Sequence, residues 1–274
     1  MTDQPGAATA NPLGLIAGNG HFPLLLAREA KRQGRPVAAV AIKEETDPAL
    51  EKLVDSIHWL NLGQVKKTIQ WLHEAGVKEA VMAGQVKHVR IFDLRHLDLT
   101  AVKIMAGLPD KKTDTILRAV ADEFAKSGIT FLSSTVYLKD LLAPEGNMTV
   151  HRPSSDQKKD IEFGLATARA VGGLDLGQTV CVKDRAVLAV EAIEGTDECI
   201  RRAGRYAEGF TVAKTSKPKQ DIRFDVPVIG IRTLEALKES KAAVLAVEAG
   251  KTLFFDKEEF LKGAESAGLV IQGV

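Results

Sequence analysis

Apolar runs and amphipathic stretches alternate along the first half of the chain. "LGLIAG", from Leu13, is a buried-strand pattern ending in Asn19-Gly20, and "FPLLLAREAKRQG" follows with helical apolar spacing closed by Gly34. "PVAAVAI" repeats the strand pattern, "VKKTIQWLHEAG" the helical one, and "EAVMAG" supplies a third strand. This order predicts a Rossmann-like unit with a mostly parallel sheet covered by helices.

Further on, "DTILRAVADEFAKSG" reads as an amphipathic helix and "ITFLSS" as a strand. The Pro- and Gly-containing "LLAPEGNMTVHRP" then reads as a linker. Beyond it, "QTVCVKD" and "AVLAVEAIE" alternate around Asp184-Arg185 as paired strands, and "TDECIRRAGRYAEG" is helical. "AAVLAVEAG", "TLFFD" and "LVIQGV" are strands. The reading is two α/β domains: a loose tail over 1–12, a Rossmann-like domain over 13–140, a linker over 141–152 and a second α/β domain over 153–274.

Composition narrows the function little. A formal net charge of +1 with 27% charged residues gives no global field for nucleic acid. The two cysteines, Cys181 and Cys199, form no CxxC pair and sit near no cluster of metal ligands. The start, "MTDQPGAATANP", carries an acid and no basic region followed by an apolar core, which predicts a cytoplasmic protein rather than a secreted one. No window has the length of unbroken apolar sequence that spans a bilayer.

Three segments carry candidate chemistry. Gly18, Asn19 and Gly20 follow the first strand and precede a helix, where backbone N–H groups can approach an anion; a tight turn needing glycine explains the motif equally well. Pro23 stands where the dinucleotide fingerprint needs its third glycine, so NAD is a minor alternative. In "EAIEGTD", Glu191, Glu194 and Asp197 lie at a strand end. Thr196 or Asp197 can cap the next helix, and the same acids are suited to a hydrated Mg²⁺.

The third segment, "KTSKPKQDIRFDVP", interleaves bases with acids. Lys217, Lys219 and Arg223 can simply pair with Asp221 and Asp225 as a solvated run, but the same mixture suits a diphosphate: cations for its oxygens, carboxylates for a metal or a water. Residues 86–108, "VKHVRIFDLRHLDLTAVKIMAGL", mix large apolar and basic residues. They read either as a helix facing the core or as an interfacial element near anionic lipid. None of the six histidines falls in a Ser/His/Asp or HExxH pattern.

From "LGLIAGNGHFP" through "DIEFGLATARAVGGLDLGQTV", "AVLAVEAIEGTDECIRR", "KTSKPKQDIRFDVPVIG" and "AAVLAVEAGKTLFFD" to its end, the chain resembles the UDP-2,3-diacylglucosamine pyrophosphatases of the LpxI type, from the lipid A pathway. The resemblance implies Mg²⁺-dependent hydrolysis of UDP-2,3-diacylglucosamine to UMP and 2,3-diacylglucosamine 1-phosphate (lipid X), with water attacking the sugar-side phosphorus. It implies two domains with the lipid-linked UDP-sugar held between them.

Carried onto this sequence, it places substrate contacts at Gly18, Asn19, Gly20, Gln178, Thr196, Lys217 and Gln220. Asp225, Asp221 and Lys214 become the expected catalytic residues, and Asp225, Asp221, Asp197 and Glu191 the expected Mg²⁺ ligands. The cytoplasmic face of the inner membrane is a candidate docking surface, and a homo-oligomer is compatible with the sequence. The alternatives are a non-catalytic lipid-nucleotide carrier and a Rossmann-type nucleotide-sugar enzyme.

Overall fold

The computed structural model describes residues 11–86, 96–110, 112–218, 221–224 and 226–274. The chain divides into two α/β units. One holds the residues up to Tyr137 together with Asp221–Phe224, and the other holds the remainder from Leu138 onward.

The first unit is built on five strands: β1 (Leu13–Ala17), β2 (Val37–Ile42), β3 (Ser56–Leu60), β4 (Glu79–Ala83) and β5 (Thr130–Phe131). They are ordered β3-β2-β1-β4-β5 and every pairing is parallel. β2 is buried along its whole length, as a central parallel strand must be. The helices are α1 (Phe22–Arg32), α2 (Val65–Glu74), α3 (Leu99–Ala106) and α4 (Thr113–Lys126).

Leu72 of α2 and Ala121 and Phe124 of α4 pack with Ala38, Val40, Ala80 and Phe131 in one apolar cluster. α1 packs against β1, β2 and β4. Chain order reverses between β1 and β4, which makes the carboxyl ends of those strands the topological switch point of the sheet.

The second unit opens with β6 (Gly146–Asn147) and α5 (Ser155–Gly173), followed by the hairpin β7 (Thr179–Lys183) and β8 (Ala186–Val190). Then come α6 (Thr196–Gly204), β9 (Thr211–Lys214), β10 (Val228–Ile229), α7 (Ile231–Glu239), β11 (Val244–Val247), β12 (Leu253–Phe254), α8 (Lys257–Ser266) and β13 (Val270–Gly273). Six strands form a mixed sheet in the order β6-β13-β11-β9-β7-β8, with β13, β11 and β9 parallel and β7 antiparallel to β9. β10 and β12 form a separate parallel pair.

The start of α5 is a capping box in which Ser154 and Gln157 each satisfy the other's backbone N–H. Ile161 and Leu165 of α5 pack on Ala213, Val244 and Ala246. The larger cluster takes Cys199, Ile200 and Ala203 from α6, Leu234 and Leu237 from α7, and Phe260 from α8 onto Cys181, Val212, Leu245 and Ile271. Adjacent residues of β9 and β11 thus enter different clusters, as side chains alternating across a sheet do. Both cysteines are free and buried in this layer. The hydrogen bond with Cys199 and burial push the Cys181 thiol far above its ordinary pKa, so it stays protonated.

Candidate active site

The carboxyl ends of β9, β11 and β8 and the amino end of β7 all lie on one edge of the second sheet. Lys214 closes β9 and is buried, directly opposite Thr179 in register. Burying an ammonium is costly unless it is hydrogen-bonded. Lys214 Nζ donates to Thr196 Oγ1 at 2.6 Å and lies 3.5 Å from Thr179 Oγ1. Thr196 Oγ1 in turn donates to Glu191 Oε1 at 3.0 Å, and Glu191 Oε2 accepts the backbone N–H of Gln178 at 3.2 Å.

A file of polar groups therefore runs from Lys214 through Thr196 to Glu191 and the Gln178 backbone. It requires a close approach of two chains: a Cβ on Gly177 would lie 2.1 Å from the Glu191 carbonyl oxygen, which only glycine permits. Thr196 is the first residue of α6, and the cap before it is Gly195. Gln178 Oε1 is buried and has no hydrogen-bond partner among the described residues.

Other expected residues take different partners. Asp197 Oδ1 accepts from Thr233 Oγ1 at 2.8 Å, and its Oδ2 lies 3.8 Å from Arg232 Nε. Lys217 pairs with Asp175. Glu194 takes a hydrogen bond from Arg202, which also donates to the Val190 carbonyl, pinning the loop after β8.

Asp221 belongs to the first unit. Arg223 Nε lies 2.9 Å from its Oδ1 and Arg223 Nη2 2.6 Å from its Oδ2, with Arg118 Nε at 4.0 Å. Asp221 also accepts the Arg223 backbone N–H, the Asx turn that aspartate favours. The Arg223 hydrogen bonds hold its carboxyl below the ordinary range against the opposing pull of burial. The Arg223 guanidinium lies 4.9 Å over the Phe224 ring, and Phe224 meets Phe131 edge-on at 6.2 Å. Ser134 N–H and Oγ both donate to the Ile222 carbonyl.

At the switch point of the first sheet, Asn19 and Gln85 exchange both backbone hydrogen bonds, and Gly18 N–H donates to the Ala83 carbonyl. A Cβ on Gly18 would lie 2.5 Å from Gln85 O, and one on Gly84 2.6 Å from Asn19 O. The N–H groups of Gly18 and Asn19 are therefore committed to the protein itself, and the glycine at 18 has a packing reason. Gly20 has φ +94° and open space around it.

Lys219, Gln220 and Asp225 lie outside the described residues, as do 87–95 of the basic apolar segment. Of that segment, α3 keeps Leu99 80% exposed and Val102 48% exposed. Among the described residues, no three acids, histidines or cysteines come together as a metal cage.

One carboxylate at this edge escaped the sequence reading. Glu248, the residue after β11, is buried and accepts from Ser216 N–H at 2.8 Å, Ser216 Oγ at 2.5 Å and Arg169 Nε at 3.1 Å. The available signal was an acid placed directly after the apolar run "AVLAV".

The LpxI N-terminal domain family model matches residues 12–141, and the LpxI C-terminal domain model matches 144–272. UDP-2,3-diacylglucosamine pyrophosphatase LpxI of Caulobacter vibrioides is 32% identical over 274 residues, 96% of this chain and 97% of that protein. A solved structure, the biotin carboxylase subunit of pyruvate carboxylase, aligns over 72% of this chain and 42% of its own. Its 14% identity and TM-score of 0.29 are too low to bear on the fold.

Proposed function

The chain belongs to the LpxI family, and we propose that it hydrolyses the phosphoanhydride of UDP-2,3-diacylglucosamine to UMP and 2,3-diacylglucosamine 1-phosphate in lipid A biosynthesis. The observation that carries the reading is the buried Lys214, oriented by Thr196 and Glu191 at the carboxyl edge of a sheet, where α/β domains hold their ligands.

In this reading the Lys214 ammonium, with Lys217 one turn of chain further on, binds the diphosphate oxygens. Water adds to the sugar-side phosphorus, the P–O–P bond breaks, and UMP leaves with the bridging oxygen. Charge grows on those oxygens in the transition state, and a donor fixed beforehand stabilises it without reorganising. Thr196 and Glu191 supply that fixing. Gln178 contributes a second polar group beside them.

Mg²⁺ is part of the proposal and supplies charge neutralisation at phosphate. The acids described do not make a ligand set for it. Glu191 is engaged by Thr196, Asp197 by Thr233 and Asp221 by Arg223. The proposal also includes a cytoplasmic protein that docks on the inner membrane to reach its lipid substrate. No helix among the described residues is long and apolar enough to cross a membrane.

The test is incubation of the purified protein with UDP-2,3-diacylglucosamine, with Mg²⁺ and with excess chelator, reading products by mass spectrometry. UMP and lipid X in the metal tube alone support the whole reading. The same products in both tubes refute the metal requirement, and intact substrate in both refutes the hydrolase.

A further inference from the structure

The parallel ladder between β9 and β11 ends at the pair Lys214 and Val247. Past that pair Thr215 N–H continues the ladder to β7 at the Gln178 carbonyl, and two residues after Val247 the Ala249 N–H goes to Val274 O. Ser216 N–H has no strand carbonyl at the point where "TSKP" leaves the sheet, and a part-buried backbone donor needs a partner. The Glu248 side chain is that partner. It takes both Ser216 donors on one oxygen, while its other oxygen receives Arg169 Nε and lies 3.8 Å from Lys251 Nζ.

We infer that Glu248 is a positioning residue for the phosphate-binding strap, acting through Ser216 on Lys214, two residues before it, and Lys217, one residue after. The inference rests on the proposed function for its kinetic consequence, though the anchoring itself does not depend on the substrate. Glu248 touches neither lysine in the described contacts. It fixes where the chain bends between them. A neutral acceptor of the same size cannot reproduce it, because the carboxylate receives donors on both oxygens and an amide would turn its own N–H groups toward one set of them.

Burial raises the Glu248 carboxyl, but hydrogen bonds from the Ser216 hydroxyl and backbone and from Arg169, together with the nearby Lys251 charge, outweigh it, and the group sits below its ordinary value. It is therefore ionised throughout the neutral range in which the strap has to work.

The experiment compares wild type with Glu248→Gln and Ser216→Ala, each checked for folding by thermal melting. Three readouts are taken: kcat and KM for UDP-2,3-diacylglucosamine, amide hydrogen exchange over 214–217, and the slowing of that exchange by inorganic pyrophosphate. The expected result is a loss of up to about a hundredfold, falling mainly on kcat in both variants, as for a catalytic group displaced by a distant change. Faster exchange at residues 216 and 217 accompanies it, in variants that remain folded.

Unchanged kcat/KM in folded variants overturns the inference, including when exchange is faster, since Glu248 would then hold the strap for stability alone. Should wild type leave the substrate intact, the proposed function fails and the pyrophosphate arm decides this one. Slowed exchange in wild type but not in Glu248→Gln supports the positioning role, and equal slowing in both overturns it.

Discussion

Lys214 and Thr196 lie 18 residues apart in sequence, yet the ammonium of one sits 2.6 Å from the hydroxyl of the other, at the meeting of a strand end and a helix start. The contact makes a buried cation a fixed donor. Lys214→Met keeps the volume and removes the charge, but it leaves Glu191 as the uncompensated end of the file, and removing one partner of a buried charged network is destabilising. We expect kcat to fall by about 10²–10³-fold, the scale of a lost oxyanion donor, with a melting temperature below wild type. Steady-state kinetics beside calorimetry check both halves.

Thr196→Val removes the link between the two charged ends of the file. Glu191 loses its hydroxyl donor and Lys214 its nearest acceptor, so the variant is expected to lose about 1–3 kcal/mol of stability as well as activity. Urea denaturation measures the first. Thr196→Ser, which keeps the hydroxyl, should restore most of both.

The glycine at position 18 faces the Gln85 carbonyl oxygen rather than open space. Gly18→Ala is expected to cost about 1–3 kcal/mol through this clash, seen as an earlier unfolding midpoint. Gly20→Ala strains a positive φ and meets no neighbour. A ligand role for the loop requires Gly20→Ala to weaken substrate binding beyond what its stability loss explains.

That glycine also marks how far the sequence could be read. The strand, turn and helix around it follow from apolar runs and spacing, which are local, whereas the Gln85 carbonyl that explains Gly18 is 67 residues away. The parallel alternation of the first unit was legible for the same local reason. α5 was not legible as a helix, because Gly164, Ala168 and Gly172 share its inward face with Ile161 and Leu165 and weaken the apolar spacing: Gly164 approaches Ala213 so closely that a Cβ would sit 2.8 Å from the Ala213 Cβ. β9 escaped as well, four residues ending in a lysine. At the candidate site, Glu191, Thr196 and Lys214 stood in legible blocks, but Glu248 serves a serine 32 residues earlier. The placement of Asp221–Phe224 with the first unit rests on Phe131, Ser134 and Arg118, contacts across some ninety residues that no local pattern records.

Asp221 yields a pH prediction. Its folded-state pKa is depressed, chiefly by Arg223 and further by Arg118. A depressed carboxylate contributes stability that is present above its unfolded value, near 3.8, and is lost as pH falls through the lower folded value. Asp221→Asn should therefore be less stable than wild type at about pH 6, with the difference smaller at about pH 3, below the unfolded value. Urea midpoints at both pH values check this; a gap undiminished at the lower pH would assign the loss to packing rather than to the charge.

The exposed Leu99 and Val102, beside Lys103 on α3, bear on membrane docking. Replacing both apolar residues by aspartate is expected to reduce flotation with anionic phospholipid vesicles while leaving turnover of detergent-dispersed substrate unchanged. Equal flotation of wild type and variant would remove α3 from the docking surface.

Hydrolysis of UDP-2,3-diacylglucosamine in ¹⁸O-water, with mass analysis of both products, identifies both the reaction and the phosphorus attacked. Equal amounts of UMP and 2,3-diacylglucosamine 1-phosphate are expected, with one labelled oxygen on the sugar phosphate and none on UMP. Label on UMP would contradict the direction of attack, and unlabelled, intact substrate recovered with the protein would contradict the hydrolase itself.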